Sequence, residues 1–317
     1  MATFQYIVSI LLFVFLTSSY ELVSVSDDSN TYVKIPLRTN QNGPEAIAFD
    51  CKGEGPYVGI SDGRILKWQG EHISWTLFAV TAPNRSESCD GIFNSPMEKE
   101  CGRPLGLRFD MKTCELYIAD SSFGLMKVGC NGGVATSLAT IAEGIPFALV
   151  NAFDIDSDNK LIYFSESSSA FHLWELKELT EAGDHSGRFM KYDMETGDVT
   201  VLLRNLSFAN GVALSKKNDF VLVGESGTSQ ILKYWLTGYK AGTYEVLKYN
   251  GGPDNINRDA KGDFWVALLR TSKIKINHLG EILESLDANQ IINCTDVSEV
   301  NNRLWFGFFF QNYIYHT

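Results

Sequence analysis

The sequence predicts an all-β fold, a six-bladed β-propeller, on three observations. One phrase recurs along the chain: two large apolar residues, a small residue, a turn-prone stretch, then an alternating strand. Its copies stand roughly 40 to 60 residues apart, the length of a four-stranded blade with variable loops. The last copy is truncated at the C-terminus, and an alternating N-terminal run is available to complete it.

The six copies are Tyr57-Val58-Gly59 leading to Arg64–Trp68, Tyr117-Ile118-Ala119 to Gly124–Val128, Tyr163-Phe164-Ser165 to Arg188–Tyr192, Leu222-Val223-Gly224 to Gln230–Tyr234, Trp265-Val266-Ala267 to Lys273–Ile276, and Trp305-Phe306-Gly307 to Asn312–Tyr315. The small residue is expected where strands crowd the axis, with the aromatics filling the space between blades. Tyr32–Leu37 is expected to supply the outer strand of the last blade and close the ring. A β-sandwich is the competing architecture, and the near-regular repeat argues against it. The insertion Phe171–Leu179 places its apolar residues on one helical face. It predicts a short helix that either caps the channel mouth or lies on the surface.

Ile7–Leu16 is an apolar run followed by Thr17-Ser18-Ser19, too short to span a bilayer comfortably. It predicts a cleaved signal peptide over residues 1–22 and a mature domain over 23–317, with no membrane span after cleavage. The expected address is the secretory pathway: endoplasmic reticulum lumen, vacuole or extracellular space. Sequons at Asn84, Asn205 and Asn293 and an even set of six cysteines agree with an oxidising route. Cys89 and Cys101 flank a short polar loop suited to a disulfide. Cys114 and Cys130 are symmetric about a hairpin in which Leu116 faces Val128, and are expected to form a second bridge. Cys51 and Cys294 stay unassigned. A net charge of −11 leaves no basic footprint for nucleic acid. The expected partner is a small molecule in the central channel.

Several phrases carry a resemblance over nearly the whole mature chain: Gly43-Pro44-Glu45-Ala46-Ile47-Ala48-Phe49-Asp50, Cys101–Phe109, Leu116–Asp120, Phe208–Ser215, Lys233–Leu236 and Pro253–Ile256. On these the chain resembles the strictosidine synthase-like family of plants. The resemblance implies a six-bladed propeller, a disulfide matching Cys89–Cys101 and an axial pocket. Strictosidine synthase condenses tryptamine with the aldehyde of secologanin by means of a glutamate, which belongs between Ile282-Leu283-Glu284 and Leu304–Gly307. Here that segment puts Asn293 or a neighbour at its place. Glu299 matches a different acidic position, and Asp296 substitutes only with a shift of alignment.

The wider superfamily includes calcium-dependent lactonases, paraoxonases and arylesterases with a metal on the propeller axis. Their ligand set is similar to Glu45, Asn151, Asn210 and Asp254, the last followed by Asn255, each expected to precede an inner strand of a different blade and to point toward the axis. These are hard oxygen donors of the kind Ca²⁺ prefers. Such asparagines and aspartates are also common at strand turns. The paraoxonase catalytic histidine corresponds to Leu105, and His72, His172, His185, His278 and His316 match no dyad position, His172 being the best placed. Three functions follow as expectations: a metal-assisted hydrolase of small esters or lactones, an amine–aldehyde condensation using Asp296 or Glu299, and a non-catalytic ligand-binding propeller.

Overall fold

The computed structural model describes residues 32–286 and 291–317, so the expected signal peptide lies outside the described residues. Six sheets form the blades, antiparallel except that Gly133–Val134 adds in parallel to the outer strand Trp75–Val80 of the first. Their innermost strands are Ile47–Ala48, Pro104–Phe109, Leu149–Asp156, Ala209–Leu214, Pro253–Arg258 and Asp296–Val300. The second strand of each blade carries the recurring phrase: Tyr57–Gly59, Leu116–Asp120, Leu161–Ser168, Phe220–Glu225, Phe264–Leu268 and Arg303–Gly307. Val33–Pro36 pairs antiparallel with Tyr313–His316, Ile35 opposite Ile314, and so gives the last blade its fourth strand. Trp75 Nε1 donates to the Pro36 carbonyl at 2.9 Å, tying the closing strand to the first blade.

Apolar side chains from adjacent sheets fill six interfaces around the ring. Burying such surface is the main favourable contribution to the fold. A seventh cluster, Leu105, Leu149, Leu173, Leu179 and Phe309, lies apart from these. It forms because the insertion after Leu161–Ser168 folds back. That insertion is a 3₁₀ turn at Leu173–Glu175 followed by an α-helix at Leu176–Ala182. The Glu175 carboxylate accepts the His172 backbone N–H at 2.9 Å, and left-handed Gly183 ends the helix.

Cys89 and Cys101 are bonded as expected, and the second disulfide corrects the sequence reading: it joins Cys51 to Cys114. The hairpin register was right, with Leu116 opposite Val128. Cys114, however, sits in a left-handed turn at φ 59°, its N–H bonded to Asp110 O. The ladder ends before reaching it. The turn of the neighbouring blade brings Cys51 within bonding distance instead, leaving Cys130 exposed and Cys294 buried as thiols. Among the described residues no helix is long and apolar enough to cross a membrane.

Iodoacetamide applied to the native, unreduced protein is expected to label Cys130 alone, with Cys294 joining only in denaturant. Cys51→Ser should cost about 2–5 kcal/mol of stability, the usual loss for a native disulfide. A peptide map joining Cys114 to Cys130 would overturn this pairing.

Candidate functional site

At one end of the axis each blade contributes one side chain to a common cavity of about 520 Å³: Glu45, Leu105, Asn151, Asn210, Asp254 and Thr295. The volume lies within the ~300–1,000 Å³ usual for small-molecule sites. All four residues expected as ligands therefore meet. Thr295 was not anticipated as a lining residue, although its place just before the innermost strand of the last blade repeats that of Glu45.

Two local features aim these side chains inward. The pairing of the inner strand shifts register across Pro104/Gly106, Val150/Phe153, Ala209/Val212 and Pro253/Ile256. Bulges of this kind re-aim a side chain that regular pleating would send elsewhere. Leu105, Asn151, Asn210 and Asp254 lie inside those four shifts. The backbone at the site also packs tightly against small residues of the neighbouring blade. A Cβ on Gly106, Gly211 or Gly307 would stand 2.8, 2.3 or 2.1 Å from the carbonyl oxygen of Asn151, Asp254 or Glu45 respectively. Ser165 fills the corresponding place by donating to the Asn210 carbonyl at 2.6 Å.

The polar floor is buried and incompletely paired. Glu45 Oε2, Asn151 Oδ1, Asn210 Oδ1 and Asp254 Oδ1 are all buried without a hydrogen-bond partner. The opposite end of one amide is held, Asn151 Nδ2 donating to Ser167 Oγ at 3.0 Å, and the oxygens of both amides are left free. Burial, then the charge of Asp254, holds the Glu45 carboxyl well above its usual range, and the buried Arg103 guanidinium opposes that rise. Burial likewise pushes Asp254 up to about 7, against the neighbouring Asn210 amide and the charge of Lys273. Two carboxyls and two free amide oxygens converging in a desolvated well fit a hard cation such as Ca²⁺. Among the described residues no three His, Cys, Asp or Glu side chains form a metal-holding group, so the amides are indispensable to any such site.

Above the floor the walls are apolar. Leu173, Leu176 and Leu179 of the insertion line the cavity with Leu105, Phe208, Phe309 and Phe310, so the helix lines the channel mouth as well as presenting a surface. Beneath the floor Arg108 plugs the axis. It ion-pairs with Asp154 at 3.1 Å and donates to Asn257 Oδ1 at 3.1 Å, and Asn257 in turn bonds Asp296.

The strictosidine synthase-like N-terminal model matches residues 32–68, and the strictosidine synthase model matches residues 151–239. The protein strictosidine synthase-like 11 of Arabidopsis thaliana is 35% identical over 311 residues, 95% of this chain and 93% of that protein. The chain belongs to the strictosidine synthase-like family. A second Arabidopsis member, strictosidine synthase-like 10, is 52% identical over 247 residues, 78% of this chain. That match spans 66% of the relative, and the match to strictosidine synthase-like 3 spans 58% of it. Among solved structures, a gluconolactonase of Xanthomonas campestris superposes with a TM-score of 0.63 at 13% identity, covering 90% of this chain and 88% of that one. A putative gluconolactonase gives 0.59 at 15% identity, covering 89% and 93%. At these identities the likeness is one of fold.

Within this strictosidine synthase-like chain, the two acids weighed as replacements for the synthase glutamate do not reach the cavity. Asp296 lies in the channel beneath it, with Oδ2 accepting Ile47 N–H at 3.0 Å and Oδ1 engaged by Asn257. Glu299 Oε2 takes Trp265 Nε1 and Lys275 Nζ, both at 2.9 Å. Asn293 is exposed. Among the described residues no histidine lines the cavity. His172 stacks on Trp174 and its Nδ1 sits 3.0 Å from the Ala148 carbonyl.

A carboxyl whose folded pKa exceeds its unfolded value keeps a proton that the unfolded chain has released. Its contribution to stability therefore declines as pH rises from 3.8 to about 7. The chelator-treated protein is expected to lose several degrees of Tm between pH 5 and 8, and Asp254→Asn to remove part of that slope. An unchanged slope in Asp254→Asn would contradict this account of the buried pair.

Proposed function

We propose that the chain is a metal-assisted hydrolase of small esters or lactones in the secretory pathway, with Ca²⁺ held by Glu45, Asn151, Asn210 and Asp254. One observation carries this reading. Four side-chain oxygens from four blades are buried at the end of one cavity, and each lacks a partner. Leaving a buried polar atom unpaired costs about 1–3 kcal/mol each, so an arrangement of four implies a species that satisfies them together.

When bound, the ion supplies a Lewis acid able to polarise a carbonyl and stabilise the developing oxyanion. The protein's own contribution is to hold the donors rigid. Ser167 fixes Asn151 and also donates to the Ala209 carbonyl at 2.7 Å, which couples two neighbouring ligand positions. The leucines of the insertion put apolar surface beside the floor, and a lower local dielectric strengthens every electrostatic contact there. The two disulfides agree with an oxidising route, and Asn84, Asn205 and Asn293 are all exposed as acceptors. Amine–aldehyde condensation is less well supported, because both acids weighed as its base are tied up outside the cavity.

Purified secreted protein is expected to bind calcium and to hydrolyse phenyl acetate or δ-valerolactone. Chelator should depress the rate at least 100-fold, calcium should restore it, and Asp254→Asn should abolish it. Chelator-insensitive hydrolysis, or strictosidine formed from tryptamine and secologanin, would reject this reading; silence in every assay would favour a binding module. Removal of N-glycans with peptide N-glycosidase F should lower the mass of the protein made in a eukaryotic host. The loss should be smaller in each of Asn84→Gln, Asn205→Gln and Asn293→Gln, and a mass unaffected by the enzyme would argue against the secretory route.

A further inference from the structure

We infer that the substrate of this cavity has an apolar body and one polar reactive head, an aryl or alkyl ester or a lipophilic lactone, and that polyhydroxylated sugar lactones are poor occupants. The identity of the head rests on the hydrolase reading given above. The class of the body rests on the walls alone.

The walls are built by separate chain segments that agree in chemistry. Leu173, Leu176 and Leu179 come from the insertion, Phe208 from the turn before the fourth blade, and Phe309 and Phe310 from the turn after Arg303–Gly307. The phenylalanine pair is buttressed from behind. Phe93, inside the loop closed by Cys89–Cys101, packs 5.7 Å from Phe309 and 6.0 Å from Phe310, ring centre to ring centre. The Arg103 guanidinium lies 4.8 Å from the Phe309 ring. Phe310 is nonetheless 60% exposed, which leaves a large apolar side chain at the mouth in water. An apolar ligand body would cover it.

The wall hydroxyls tell against a sugar. Thr180 Oγ1 donates to the Leu176 carbonyl at 2.7 Å, Ser226 Oγ to Pro253 at 2.6 Å, and Ser207 Oγ to Asp184 at 3.4 Å. Thr295 Oγ1 donates to Gly307 at 3.4 Å. Their donor protons are directed to the protein's own backbone rather than to a ligand. Beyond the floor oxygens, the charged groups on the lining are Asp184, whose Oδ2 accepts from Ser186 Oγ at 2.9 Å, and the exposed Arg270. A polyol set against the leucine and phenylalanine surface buries hydroxyls without partners there, each weakening binding by roughly ten-fold.

The test uses the secreted, disulfide-bonded protein and two probes that cannot be hydrolysed as esters: N-(1-naphthyl)acetamide for an apolar body, and D-glucono-1,5-lactam for a polyol. Calorimetric titration in calcium is expected to show the naphthyl amide binding at least 10-fold tighter. Phe310→Asp and Leu176→Asp should each weaken that binding at least 10-fold, with thermal melts confirming that both variants fold. Equal or tighter binding of the lactam would overturn the inference, as would variants that fold but bind the naphthyl amide normally. Calcium titration of the same samples reports separately on the hydrolase reading. Naphthyl binding that depends on Leu176 and Phe310 in a protein that takes up no calcium would uphold the substrate class and reject the metal.

Discussion

Six sheets can share one axis only if the innermost strand of each blade lies against its neighbour with almost nothing between them. In this chain that approach is made at Gly106 and Gly211 on innermost strands and at Ser165 and Gly307 on the second strands beside them, and a Cβ on any of the three glycines would collide with the backbone of the next blade. The same contacts set the site. Each of the four small residues touches the carbonyl of a residue whose side chain faces the cavity, so the packing that closes the ring also places Asn151, Asn210, Asp254 and Glu45. A methyl group added at Gly307 would meet the Glu45 carbonyl at 2.1 Å, and the floor would have to move.

A propeller built in this way brings two carboxyls close together out of water, which is unfavourable unless something answers their charge. Within the protein the answer is partial. Arg103 opposes the rise at Glu45, Lys273 does so at Asp254, and both cations are themselves held below their ordinary pKa by burial. The remaining oxygens face the cavity. Beneath them, Arg108, Asn257 and Asp296 form a paired network that leaves little free space in the channel. The polar end is thus closed below and opens only toward the leucine and phenylalanine walls, a gradient from hard donors to apolar surface along one axis.

Much of this was legible in the chain. The small residues of the repeat and a closing strand within Tyr32–Leu37 follow from reading phrases against one another, whereas Glu45, Asn151, Asn210 and Asp254 were singled out by the resemblance to metal-binding propellers. Other parts were not. Register shifts around Asn151, Asn210 and Asp254 leave no mark in an alternating pattern, because a bulge adds a residue without changing residue type. Phe93 and Phe309 are 216 positions apart, and nothing local announces that the disulfide loop supports the cavity wall. The pairing of Cys51 with Cys114 was hidden for a similar reason. The hairpin places Cys114 and Cys130 at symmetric positions, yet the left-handed turn at Cys114 takes it to another blade.

The sequence by itself determined the number of blades, the strand that closes the ring and the residue types available at the axis. Periodicity and residue size are local properties, repeated often enough here to be read without coordinates. Only the tertiary structure decided which oxygens remain unpaired, that Asp296 and Glu299 are occupied elsewhere, and that the helical insertion turns its leucines into the cavity. Those outcomes depend on distances between segments far apart in the chain, and on competition for hydrogen bonds that is resolved only once all six blades are in place.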